Sequence, residues 1–159
     1  MPSSLAIYLR NHEAAAQAGN DLFRRTVSNH RRKPYAEELR QLAAEAREDL
    51  VALRQLMRRA KVQPDLLLGV ALRVGERAGR LKPNGHLIRR APLSDLVEIE
   101  GLLDAVHAKA AGWRALAAAR VDDQGQLFEV EGLAERAEDQ LARLSSIHEA
   151  VASEVLDPA

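Results

Sequence analysis

Apolar residues return every three or four positions along most of the chain, the spacing of helices with one face turned inward. No stretch alternates β-branched and polar residues as a half-buried strand would. A first helix, capped by Ser3 or Ser4 and running to about Val27, carries Leu5, Tyr8, Leu9, Ala15, Ala16, Gly19, Leu22 and Phe23 on its apolar face. A polar, basic turn over residues 28–33 follows. Pro34 suits the first position of a second helix, where its missing N–H would have no partner anyway. That helix runs to about Lys61, with Leu39, Leu42, Ala46, Leu53, Leu56 and Ala60 on one stripe. Pro64 opens a shorter helix to about Arg80, apolar nearly all round at Leu66, Leu67 and Leu68, and residues 82–86 form the clearest turn in the chain. Pro92 or Ser94 starts a third long helix to about Ala119, with a seam of Leu96, Ile99, Leu103, Val106, Ala110, Trp113 and Ala117. Residues 121–125 break the pattern. A fourth long helix runs from about Phe128 to Val155 with Val130, Ala134, Ala137, Leu141, Leu144, Val151 and Val155 inward.

These elements predict an all-α fold: a single helical-bundle domain over residues 1–159, with four long helices and a short extra one between the second and third. Short turns make the first pair and the last pair antiparallel hairpins. The connection over residues 62–91 holds about 17 helical residues, or about 25 Å at 1.5 Å each. That length can return the chain along the bundle, so a long crossover with the second and third helices parallel and a plain up-down-up-down order both fit.

Composition narrows the chemistry. A chain of 159 residues can bury a core without cross-links. With no cysteine there is no disulfide scaffold, thiolate zinc site, iron–sulfur cluster or Cys nucleophile. A mean hydropathy of −0.28, with no apolar run near 18 residues, speaks against a membrane span. No signal-peptide pattern opens the sequence, so a cytoplasmic location is expected, and the composition suggests a bacterial source. The chain lacks a P-loop, a dinucleotide fingerprint, G-x-S-x-G and H-E-x-x-H, which leaves hydrolase, kinase and dehydrogenase readings without support.

The formal net charge of zero conceals a division. Residues 1–91 carry 18 Lys/Arg against 9 Asp/Glu, a formal +9, and residues 92–159 carry 5 against 14, a formal −9. Halves of opposite sign attract each other, within one chain or between copies. The basic half has clusters at Arg24, Arg25, His30, Arg31, Arg32 and Lys33, and at Arg54, Arg58, Arg59 and Lys61. Basic residues near helix C-termini also complement the macrodipole, which accounts for Arg24, Arg25 and Arg58 to Lys61 without a ligand. Nucleic acid is disfavoured as a partner: the acidic half repels phosphate, and five aromatic residues in all give no stacking platform. His30 and His86 fall in turns and are expected to be solvated, whereas Trp113 is expected in the core.

Candidate chemistry lies where polar residues interrupt apolar stripes. His12 falls in the first helix's series, Asp49 sits between Leu42 and Leu56, and His148 between Leu141 and Val155. Glu100, Asp104 and His107 form a second stripe on one face of the third helix. Counting outward from the turns brings His12, Asp49, Asp104, His107 and Glu138 to mid-bundle, with Glu13 and Glu45 within a turn. Buried groups of this kind need partners. They form either a polar network, in which Asp49 and Asp104 pair with Arg40, Arg47 or Arg114 or with His12 and His107, or a metal site. A cofactor-free network is the first reading. The alternative is a site on His12, Glu45, Asp49, Glu100, Asp104, His107 and Glu138, whose mixed ligands suit iron, manganese or zinc.

This arrangement resembles the ferritin-like superfamily. The resemblance implies a crossover after the second helix and a mid-bundle carboxylate/His cluster in which each hairpin supplies one lone Glu and one Glu-x-x-His. Asp104-Ala-Val-His107 has that spacing with Asp for Glu, on the helix where a lone Glu belongs. Glu45-Ala-Arg-Glu48 has no His, and Leu141 stands where a His would follow Glu138. No catalytic residue is carried over. The expected function is therefore non-enzymatic association, principally self-association. A metal-dependent oxidoreductase is the alternative, and nucleic-acid binding by the basic half the third reading.

Overall fold

The computed structural model describes residues 2–65, 91–121 and 127–157. These form four long helices and, among the described residues, no strand: α1 (Ser4–Asn29), α2 (Ala36–Arg59), α3 (Pro92–Ala118) and α4 (Leu127–Val155). The all-α expectation holds. Pro64 and Asp65 are not helical. The rest of the short helix expected up to Arg80, and the connection on which the crossover depends, lie outside the described residues. No described helix is long and apolar enough to cross a membrane.

Local chemistry accounts for the helix ends. The Ser3 hydroxyl accepts from the Ala6 N–H at 3.2 Å and so satisfies one of the donors a helix start leaves open. α1 continues two residues past Val27 and closes with the His30 N–H on the Thr26 carbonyl at 2.9 Å. Arg24 and Arg25 therefore lie outside its last turn, and the macrodipole does not account for them; Arg24 pairs with Asp21 at 3.1 Å. Pro34 stands in the turn ahead of α2 rather than at its first position. Glu37 and Glu38 open α2, and Arg58 and Arg59 end it, each complementing the macrodipole.

α2 and α3 end alike. Past α2, the Val62 N–H bonds the Met57 carbonyl at 2.9 Å and the Lys61 N–H bonds that of Arg58 at 3.1 Å. Past α3, Val121 reaches Leu116 at 3.3 Å and Arg120 reaches Ala117 at 3.0 Å. These are Schellman closures, which place one residue in the left-handed region. Here that residue is Lys61, at φ 55°, and Arg120, at φ 47°, where glycine is the usual occupant. Lys61→Gly is expected to raise stability by about 1 kcal/mol, because a side chain in this region costs about 1–2 kcal/mol. A urea midpoint that stays put or falls would show that Lys61 is unstrained.

The chain divides into two compact units, Met1–Ser94 and Asp95–Ala159, with the boundary in the first turn of α3. The first is a hairpin of α1 and α2, the second a hairpin of α3 and α4. The core of α2 is the expected stripe of Leu39, Leu42, Ala46, Leu53 and Leu56, with Asp49 buried in its midst. On α1 the inward line runs one position later than the sequence suggests, through Ala6, Leu9, Glu13, Phe23, Thr26 and His30. Leu5, Tyr8 and Leu22 are half-buried and Ala15 is exposed. In the second hairpin Leu96, Ile99, Leu102, Val106, Ala110, Trp113 and Leu116 face Val130, Ala137, Leu141, Leu144, Ile147 and Val151. Burying each large side chain contributes about 1.5–3 kcal/mol.

Candidate functional site

The polar centre of the first hairpin is Glu13. Its side chain is fully buried, and its Oε1 accepts from Gln17 Nε2 at 2.7 Å and from Arg54 Nε and Nη2 at 2.9 and 2.8 Å. Its Oε2 is buried and has no hydrogen-bond partner among the described residues. Two turns along α1, Asn20 Nδ2 donates to the Ala46 carbonyl at 3.2 Å. These contacts set the register of the hairpin: Glu13 lies level with Arg54, and Asn20 with Ala46.

That register separates His12 from Asp49. Asp49 falls level with residues 17–18, about 8 Å along the axis from His12. Counting from a turn centred at Arg31 puts the two at one height, but the chain between α1 and α2 is longer, running from His30 to Tyr35. His12 is half-buried on the flank of α1, its ring centroid 4.4 Å from that of Tyr8. Asp49 is buried and partnered, and Glu45 is half-buried and partnered. Arg40, a candidate partner for Asp49, instead pairs with Glu37.

Desolvation holds the His12 imidazole below its ordinary pKa of 6.5. The unfolded chain then binds the proton more readily, so the fold loses stability as pH falls through 6.5 toward the depressed folded value. His12→Gln is expected to flatten this part of the profile: between pH 7 and 5 the urea midpoint should fall less in the variant than in the parent. Equal losses in the two would mean that His12 is solvated.

In the second hairpin the expected ligands face water. Glu100, Asp104, His107 and Glu138 are all exposed. They lie beside the α3 and α4 seams rather than on them, so their charges need no buried partner. Glu100 Oε1 lies 3.3 Å from His148 Nε2, and Glu138 pairs with Arg114 across the hairpin. Neither Asp104 nor His107 joins them. The buried polar residues here, among those described, are Asp95, which is partnered, and Gln140, which accepts from Lys109 Nζ. Among the described residues no three His, Asp or Glu side chains gather into a group that could hold a metal ion.

His30 also departs from expectation. It is fully buried rather than solvated, because the longer α1 carries it inward, and its Nδ1 meets the Tyr35 hydroxyl at 3.0 Å. His86 lies outside the described residues. Glu13, placed only near the cluster by counting from the turn, is the true interruption of the α1 seam. Its signal in the sequence is Gln17, one turn further on, together with an Arg at the matching height of α2. An ion pair of this kind, both guanidinium N–H groups on one carboxylate oxygen, fixes helix register.

No known protein family, curated protein or solved structure matches the chain.

Proposed function

We propose that this protein is non-enzymatic and acts by protein association, principally with a second copy of itself. The opposition of charge carries this reading: a formal +9 over residues 1–91 against −9 over residues 92–159. On the second hairpin Glu100, Asp104, Glu131, Glu135 and Glu149 are exposed, and on the first Arg31, Arg32, Arg47, Arg58 and Lys61. Surfaces of opposite sign steer encounter and fix which faces meet. Salt screens such contacts, with a Debye length of about 30 Å at about 0.01 M and about 3 Å at about 1 M. Sedimentation velocity at micromolar concentration is expected to show a dimer at the lower salt and dissociation at the higher. A monomer at both would overturn the reading.

A further inference from the structure

Large apolar side chains stand exposed at one end of the second hairpin. Leu93, 49% exposed, and Val97, 55% exposed, are one turn apart on α3 and so share a face. Leu156, 59% exposed, follows α4 at the same end, since the contacts Glu100–His148, Lys109–Gln140 and Arg114–Glu138 rise along α3 as they descend α4 and so make the two helices antiparallel. Residues 92–108 and 144–159 contain no Lys or Arg and seven Asp or Glu, of which Glu100, Asp104, Glu149, Glu154 and Asp157 are exposed.

That combination restricts what can cover the apolar residues. Two copies of this end brought face to face would set acidic groups against acidic groups, so it does not pair with itself across a two-fold axis. A basic surface fits, because Arg and Lys lay aliphatic stems over apolar groups while their charged heads meet the carboxylates around them. The same chain carries exposed basic groups in its N-terminal half, Arg31 and Arg32 at the turn between α1 and α2 and Arg58 and Lys61 at the far end of α2. We propose that the end of the second hairpin bearing Leu93, Val97 and Leu156 receives the basic N-terminal half of a second copy. This inference rests on the association reading and names its surface.

Sedimentation equilibrium of the full chain at low salt tests the surface. Leu93→Ser combined with Val97→Ser removes apolar area from exposed positions and is expected to weaken dimerisation about tenfold or more. Glu149→Lys, at the same end, is expected to weaken it similarly. Glu131→Lys makes the same change of net charge at the opposite end of the hairpin, and is expected to stay within about threefold of the parent. Circular dichroism checks that each variant is folded. A parent dimer matched in strength by the Leu93/Val97 variant would overturn the surface and leave association standing. Equal weakening by Glu131→Lys and Glu149→Lys would also overturn the surface, as a diffuse field would then suffice. A monomeric parent would overturn both.

Discussion

Arg54→Met is expected to destabilise the protein by about 3 kcal/mol, the lower end of the range for breaking a buried ion pair. The Glu13 side chain is fully buried, whereas that of Arg54 remains 42% exposed, so water screens the pair only from the arginine side. Without the guanidinium, Glu13 keeps one donor, Gln17, and its Oε2 already lacks a partner among the described residues. Replacing both residues, Glu13→Leu with Arg54→Met, is expected to return stability to within about 1 kcal/mol of the parent, since apolar side chains of similar volume often replace a buried pair without loss. Urea unfolding followed by circular dichroism reads all three proteins. A single variant that costs less than about 1 kcal/mol would mean that the pair does not hold α1 against α2.

Trp113 sets the second large effect. It is buried in the α3 seam, and Trp113→Ala is expected to cost about 3–5 kcal/mol through lost burial and the cavity left behind. Trp113→Phe is expected to cost much less, under about 1.5 kcal/mol. The indole Nε1 is buried with no hydrogen-bond partner among the described residues. Phenylalanine removes that unsatisfied donor, a relief of about 1–3 kcal/mol that offsets part of the lost area. If Phe and Ala cost the same, the indole N–H is making an interaction that the ring alone does not supply.

The helices were legible because leucine marks a stripe sharply. Leu39, Leu42, Leu53 and Leu56 place the inner face of α2, and Asp49 is found inside it as the spacing predicts. α1 was legible in extent but not in phase. Its middle is rich in alanine, which packs inward or outward at little cost, so the sequence offers two neighbouring stripes of nearly equal weight. A carboxylate ordinarily reads as surface, so Glu13 lends its own stripe little weight in the sequence. Only Arg54, 41 positions away, makes that stripe stable. Heights along the hairpins are hidden for a different reason. They depend on the length of the turn, and each residue added there shifts the partner helix by about 1.5 Å. In the second hairpin Glu100, Asp104 and His107 share a face, as the spacing requires, but that face is exposed. Periodicity fixes which side chains lie together on a helix; what covers them depends on neighbours that periodicity does not name.

The distribution of chromophores across the two compact units gives each an optical signature. The only tryptophan, Trp113, lies in the second, while both tyrosines, Tyr8 and Tyr35, lie in the first. Indole fluorescence excited at the red edge therefore follows one hairpin, and phenol absorbance follows the other. Coincident melting curves would mark a single cooperative unit, and separate ones would resolve two hairpins that unfold in turn.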